Sequence, residues 1–223
     1  MNLYIDIETC PGQKEGFRDA IEVKPPGNIK KPESIQKWMD EKGDSAIEEQ
    51  YRKTALSGTF GEILCISWAL DDEEPELVGR ELDGDEGDLL SQFFERLTDQ
   101  LEERQQDNRP IPTLNWIGHN ISGFDLRFIF QRCVVNQVKP SVPLPYDAKP
   151  WEIQDTMIMW AGLHGSDKSL DKVCQALGIE GKGDMDGSKV YQAALAGEYD
   201  KIFDYCIDDV NKTRQIFKRL TFA

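Results

Sequence analysis

The sequence lacks features that several classes of protein require. No apolar run approaches the roughly 20 residues that span a bilayer, so we expect no membrane association. The N-terminal residues show no basic segment followed by a cleavage pattern, and no secretory leader is predicted. The five cysteines are odd in number and scattered, with no C-x-x-C pair. This spacing is typical of reduced thiols and predicts a cytoplasmic protein without a disulfide framework or a zinc site.

Basic residues are also scarce relative to acidic ones. The chain has 26 Lys and Arg against 41 Asp and Glu, which gives a net charge of −15. Tight, non-specific binding to duplex DNA normally needs a basic surface, and this balance argues against it. Ten of the acids lie within residues 71–88, beside a single arginine. We interpret this run as a solvated hairpin tip and helix start, which does not exclude an enzyme that grips a few nucleotides.

The pattern of apolar residues predicts an α/β fold. Period-two or short apolar segments predict five strands, over residues 2–9, 61–70, 75–82, 112–120 and 151–159. Helical spacing predicts helices over residues 32–56, 88–106, 122–137, 168–179, 188–199 and 200–220. This order favours a mixed five-stranded sheet flanked by helices. With no linker in the sequence, we predict one domain over 1–223, with a partly helical insertion at about 11–55.

Two carboxylates occupy one face of the first predicted strand, in MNLYIDIETC. Because side chains alternate along a strand, Asp6 and Glu8 share a face with Tyr4, and the intervening apolar residues share the other. Two unit charges about 4 Å apart repel by roughly 4 kcal/mol at an effective dielectric near 20. Solvent, a shared proton or a cation must offset this repulsion, and the strand alone leaves all three open.

Two further segments carry acids in suggestive positions. Asp125, in NISGFD, lies just inside a predicted helix, where Ser122 and Asp125 alternatively form a capping box. In YCIDD, Tyr205 and Asp209 are four residues apart and therefore stack on one helix face, although such a pair is also common on a solvated surface. Asp208 is a second candidate acid, but the helical turn of about 100° per residue puts it off the face of Tyr205.

In this order, the three segments resemble the Exo I, Exo II and Exo III motifs of the DEDD 3′–5′ exonucleases. The tyrosine of the third segment places the resemblance in the DEDDy branch, because the His branch needs a histidine where this chain has Asp204. Four further segments are similar to the standalone branch related to the exonuclease domain of family B DNA polymerases: ALSGTFGEILCIS, SLDKVCQALGI, GKGDMDGSKVY and YCIDDVNKT. The resemblance covers most of the chain and is weakest over residues 11–53.

The resemblance implies a ribonuclease H-like sheet and a two-metal site. Two Mg²⁺ or Mn²⁺ ions would be held by Asp6, Glu8, Asp125 and Asp209, and Tyr205 would orient the attacking water. Independently of the family, a histidine-free set of carboxylates suits hard cations and not zinc.

The resemblance also implies contacts with the substrate. Thr9 and Phe124 would touch the terminal nucleotide, although Phe124 alternatively belongs to the core. Asn120 is a substrate contact or a helix cap.

The implied activity is 3′–5′ exonuclease hydrolysis of single-stranded or frayed DNA, releasing 5′-mononucleotides. A 3′–5′ exoribonuclease on the same scaffold is the nearest alternative. A catalytically silent ribonuclease H-like binding or accessory module is the other. The expected partner is therefore a nucleic acid 3′ end, single-stranded DNA above all, and the sequence indicates no stable protein partner.

Overall fold

The computed structural model of the protein describes residues 1–104, 113–149, 152–181, 183 and 185–223. Five strands form one sheet in the order β3-β2-β1-β4-β5. The strands are β1 (Asn2–Cys10), β2 (Glu62–Leu70), β3 (Glu76–Gly79), β4 (Asn115–Gly118) and β5 (Gln154–Asp155). β1 runs antiparallel to β2 and parallel to β4, β3 is antiparallel to β2, and β5 is parallel to β4. The predicted mixed five-stranded sheet is therefore confirmed.

Seven α-helices flank the sheet within the described residues. They are α1 (Pro32–Lys53), α2 (Glu86–Glu103), α3 (Asp125–Val135), α4 (Thr156–Ala161), α5 (Leu170–Leu177), α6 (Val190–Leu195) and α7 (Tyr199–Leu220). Short 3-10 helices cover Arg18–Ala20 and Thr54–Leu56. Among the helices of the described ranges, none combines the length and the apolar character needed to cross a bilayer.

β1 lies at the centre of the sheet, and a different layer covers each of its faces. Its odd-numbered apolar side chains point into a core shared with α2 and α3. On the other face, Tyr4 packs edge-on against Phe217 of α7, with ring centroids 5.9 Å apart. The predicted alternation is confirmed, and it places Asp6 and Glu8 on the face that α7 covers.

α7 supplies the second half of the site because of its own periodicity. Ile202, Cys206 and Val210 recur at helical spacing and are fully buried. Tyr205 and Asp209 belong to the same buried side and are 8 % and 5 % exposed. The apolar stripe therefore holds these two polar residues close to the sheet.

The predicted strand over residues 151–159 is confirmed only at Gln154 and Asp155. The chain enters α4 at Thr156, because the Asp155 carboxylate accepts hydrogen bonds from the backbone N–H groups of Met157 and Ile158 and caps the new helix. The apolar residues that follow are therefore helical. The predicted ends of helix 88–106 and strand 112–120 reach into residues 105–112, which lie outside the described residues, as does residue 151.

The acidic run over residues 71–88 is only partly a solvated surface. Its first four acids are exposed in the turn between β2 and β3, as the sequence predicted, and Asp72 pairs with Lys218 of α7. Glu86 at the start of α2 is different, since it is 6 % exposed and its carboxylate pairs with the equally buried Arg132 of α3. This acid therefore joins two helices inside the molecule.

Candidate active site

Three of the predicted acids meet between the centre of the sheet and α7. One carboxylate oxygen each of Asp6, Glu8 and Asp209 lies within 4.8 Å of the other two. The strand period puts the first two on one face, and the apolar stripe of α7 brings the third down onto it. The site therefore joins the two ends of the chain, and we call these three residues the acid group.

The charges of neighbouring acids and the burial of the site act on the same carboxyl group. Burial raises the pKa of Asp6 well above its usual range, and the charges of Asp125, Glu8 and Asp209 raise it further. The Cys206 Sγ also lies against Asp6, 3.5 Å from its backbone oxygen and 3.6 Å from its Oδ2. The repulsion between carboxylates that the sequence predicted therefore acts on Asp6, which is affected by all three neighbouring acids.

Tyr205 lies beside the acid group as a neutral hydroxyl. Burial raises its pKa far above the usual value, and the charges of Glu8 and Asp209 add to the effect. Its hydroxyl donates a hydrogen bond to the Asp209 carboxylate one helical turn away. The predicted stacking of these two residues on one face of α7 is confirmed.

The acid group fits a hard divalent cation. Within the described residues, this is the one set of three such side chains with ligand atoms so close together, and all three ligand atoms are carboxylate oxygens. Mg²⁺ and Mn²⁺ prefer such ligands, whereas zinc favours sets with imidazole or thiolate. A bound cation would also offset the mutual repulsion of the carboxylates.

Asp125 lies beside the acid group without belonging to it. It begins α3, is 3 % exposed, and accepts hydrogen bonds from its own backbone N–H and from that of Ile7. Burial raises its pKa to about 7, and the charge of Asp155 contributes. The alternative capping box does not form. The Ser122 hydroxyl donates to Asp155, and the residue that caps α3 is Phe124, which makes no side-chain cap hydrogen bond.

The three predicted substrate contacts lie near the end of β1, just after β4 and at the start of α3. The Thr9 hydroxyl donates its hydrogen bond to the Ala55 carbonyl oxygen at 2.8 Å, so its proton is already used within the protein. Phe124 is half-buried and packs against Phe128, with ring centroids 5.3 Å apart. Asn120 follows β4 with φ at +68°, in the left-handed region that asparagine tolerates better than most residues.

Asp208 and Asp209 differ in the way that helical geometry predicts. The Asp208 side chain is 49 % exposed and pairs with the buried Lys212 one turn further along α7. Asp209 is 5 % exposed and belongs to the acid group. The spacing argument from Tyr205 therefore favoured the acid that lies in the acid group.

The sequence analysis missed Asp155, which is fully buried next to the turn that leads into α3. Its carboxylate accepts hydrogen bonds from Asn120 and Ser122 on one side and from the start of α4 on the other. A signal was available, since an aspartate directly before an apolar segment is a helix N-cap pattern. Reading that segment as a continuous strand concealed it.

Comparisons with known proteins agree with this architecture. The structure is similar to that of the family B DNA polymerase from the hyperthermophilic archaeon Pyrobaculum calidifontis, with a TM-score of 0.52 and 15% identity. The similarity covers 99% of this chain and 24% of the polymerase, so the chain spans about a quarter of that protein. It confirms the ribonuclease H-like sheet expected from the sequence. A search of curated proteins found no significant match.

The sequence also matches a protein family described as "Predicted 3'-5' exonuclease related to the exonuclease domain of PolB", over residues 56–223. The match begins after β1, so Asp6 and Glu8 lie outside it, while Asp125, Tyr205 and Asp209 lie within it. Because this match covers well over half of its length, the chain belongs to the family of predicted 3′–5′ exonucleases related to the exonuclease domain of PolB.

Proposed function

We propose that this chain is a divalent-metal-dependent 3′–5′ exonuclease that hydrolyses single-stranded or frayed DNA from its 3′ end and releases 5′-mononucleotides. The observation that carries the proposal is the acid group, in which Asp6, Glu8 and Asp209 converge within 4.8 Å from opposite ends of the chain. We propose further that residues 1–223 form one exonuclease domain, since α7 packs on the first strand. Family membership supports the reaction class.

The carboxylates of the site would hold two Mg²⁺ or Mn²⁺ ions. Asp6, Glu8 and Asp209 supply a ready set of ligand oxygens, and Asp125 is proposed as the fourth because its charge acts on Asp6 across the adjoining surface. Bound divalent ions supply Lewis-acid stabilisation of the charge that develops on the phosphate oxygens during hydrolysis. The protein's contribution is to keep these carboxylates together in a partly buried place where they are poorly solvated.

Tyr205 is proposed to position the attacking water. Because its raised pKa keeps the hydroxyl protonated at neutral pH, it can accept and donate hydrogen bonds but cannot serve as a strong base. Its hydrogen bond to Asp209 fixes the hydroxyl next to the acid group. Tyr205 would thus orient the attacking water, and it is not proposed to accept the water's proton.

The substrate would approach between the ends of β1 and β4. Thr9, Asn120 and Phe124 are proposed contacts there, and the half-buried ring of Phe124 offers a surface on which a terminal base could stack. The net negative charge of the chain favours contact with a few nucleotides at a DNA 3′ end over extended binding to duplex DNA.

The test is a degradation assay with 5′-labelled single-stranded DNA and, separately, RNA of the same sequence. Each substrate is incubated with Mg²⁺, Mn²⁺ or EDTA, beside an Asp6→Ala control. We expect a ladder that shortens stepwise from the 3′ end of the DNA and disappears with EDTA and in the variant. Faster degradation of RNA would make the chain an exoribonuclease, and no degradation under any metal would favour the silent binding module.

A further inference from the structure

The Asp155 carboxylate accepts five hydrogen bonds close to the candidate site. It is fully buried at the end of β5, where β5 pairs with β4 through Gly118. A buried carboxylate is expensive unless its oxygens accept hydrogen bonds or meet a cation. This one meets donors from two separate segments of the chain.

The two oxygens of Asp155 have different tasks. Oδ1 accepts the backbone N–H groups of Met157 at 3.1 Å and Ile158 at 3.3 Å, which caps α4, and also that of Asn120 at 3.0 Å. Oδ2 accepts the backbone N–H of Ser122 at 3.1 Å and the Ser122 hydroxyl at 2.6 Å. The carboxylate therefore joins the start of α4 to residues 120–122.

Residues 120–124, which we call the α3 entry turn, need such support. Asn120 has a left-handed backbone with φ at +68°, a conformation that is unfavourable for most residues with a side chain. The Asn120 carbonyl oxygen accepts the N–H groups of Gly123 and Phe124, both at 3.0 Å. A Cβ at Gly123 would lie 2.6 Å from the Asn120 Oδ1, so the turn is also tightly closed.

The entry turn leads directly into Asp125, whose carboxylate lies beside the acid group. The Ile121 carbonyl oxygen accepts the N–H of Leu126 in the first turn of α3, so the turn and the helix start form one hydrogen-bonded unit. Asp125 lies within that unit, and its carboxylate reaches the backbone N–H of Ile7 on β1. A shift of the entry turn therefore moves Asp125 relative to Asp6.

We propose that Asp155 is a positioning residue of the exonuclease site, which holds the α3 entry turn and thereby sets the place of Asp125 beside Asp6. The inference rests on the proposed function, because it assigns Asp155 a task only where Asp125 helps to hold the metal. This role goes beyond capping α4, because Asp155 also accepts two hydrogen bonds from Ser122, which belongs to the entry turn and not to α4. Residues that orient metal ligands typically change metal affinity or activity by about 10- to 100-fold when they are replaced.

Two substitutions separate the two tasks of the carboxylate. Asp155→Asn retains one oxygen, which can still accept from the start of α4 and from Asn120, but it presents an amide donor to the Ser122 N–H. It therefore loosens the entry turn at Ser122. Ser122→Ala removes only the 2.6 Å hydroxyl bond and leaves Asp155 intact, so it remains informative if the first variant folds poorly. Asp85→Asn is the matched control, because Asp85 caps α2 by accepting the Asp88 N–H at 3.0 Å, away from the site.

The experiment measures Mn²⁺ binding to the free protein by calorimetry and amide hydrogen exchange over residues 119–126, with nuclease activity assayed in parallel. In Asp155→Asn we expect exchange at the Ser122 amide to accelerate about tenfold and Mn²⁺ affinity to fall about 10- to 100-fold. Ser122→Ala should show smaller changes of the same sign. Asp85→Asn should leave both measurements over these residues unchanged.

The possible outcomes distinguish this inference from the proposed function. Wild-type Mn²⁺ affinity in Asp155→Asn with a loosened entry turn would overturn the positioning role, as would exchange that accelerates evenly throughout the protein. If the wild-type protein binds Mn²⁺ but degrades neither DNA nor RNA, the nuclease proposal fails. A selective loss of Mn²⁺ affinity in Asp155→Asn would still support the positioning role in that case.

Discussion

The Tyr205 hydroxyl donates a hydrogen bond to the Asp209 carboxylate, one turn further along the last helix. The contact places a neutral phenol at the edge of the acid group. We expect Tyr205→Phe to lower kcat on the order of 100-fold, because one positioned hydrogen-bonding group near the reacting centre is lost. Stability and Mn²⁺ affinity should stay near wild type. Single-turnover kinetics on labelled DNA measure the effect, and a wild-type rate in this variant would remove Tyr205 from the mechanism.

Replacing Asp6 tests the charge repulsion within the acid group. We expect Asp6→Asn to abolish metal-dependent activity but, in EDTA, to raise the melting temperature by about 2–4 °C, the shift that roughly 1 kcal/mol produces in a protein of this size. The reason is that burial and the surrounding acids disfavour the charged Asp6.

Added Mn²⁺ should reverse that order of stability. A ligand that binds only the folded state at 100 times its Kd stabilises it by about 2.7 kcal/mol. The wild-type melting temperature should therefore rise with Mn²⁺, and that of Asp6→Asn should rise much less. Equal Mn²⁺ shifts in differential scanning fluorimetry would contradict metal binding through Asp6.

The adjacent acids of α7 provide a matched pair of variants. Asp209→Asn should lose activity by about 100-fold or more, since it removes one of the three converging carboxylates. Asp208→Asn should retain activity within a few-fold but melt at a lower temperature, because the buried Lys212 loses its carboxylate partner. Steady-state kinetics and thermal melts of both variants decide the matter, and a reversed ranking of activities would exclude Asp209 as the site residue.

The buried pair of Glu86 and Arg132 should matter for stability alone. The Glu86 carboxylate accepts hydrogen bonds from Arg132 Nε at 2.9 Å and Nη2 at 2.5 Å, and also from the Ile63 backbone N–H at 2.7 Å. Glu86→Ala leaves the guanidinium buried without its carboxylate, which typically costs about 3–5 kcal/mol. Urea unfolding measures this loss, with the exposed Glu95→Ala on the same helix as control. A loss below 1 kcal/mol would show that the pair is dispensable.

The cysteines should be unreactive in the folded protein. All five are free and buried, and burial raises the pKa of the Cys10 and Cys133 thiols to about 12. At pH 8 these thiols stay protonated, and the thiol form is a poor nucleophile. We expect an aromatic disulfide reagent to label the native protein slowly and to label five thiols after denaturation. Rapid native labelling of any one thiol would mean that its surroundings open readily.

The local parts of the site could be predicted from the sequence because they depend on fixed periods. Side chains two residues apart on a strand, or four apart on a helix, are neighbours in almost any fold. For this reason Asp6 could be paired with Glu8, and Tyr205 with Asp209, from the sequence. The succession of strands and helices along the chain and the helical end followed in the same way from apolar spacing. The extent of β5 did not, since Asp155 ends the strand by capping α4, and a short apolar segment suits either structure.

The sequence by itself determined the sheet with its flanking helices, the opposite faces of β1 and the choice of Asp209 over Asp208, because these rest on local geometry and on burial of apolar side chains. Only the tertiary structure decided which acids meet. It placed Asp6, Glu8 and Asp209 within 4.8 Å, left Asp125 beside that group, and buried Asp155 under the α3 entry turn. Such distances arise from the packing of elements far apart in the chain, about which no local period carries information.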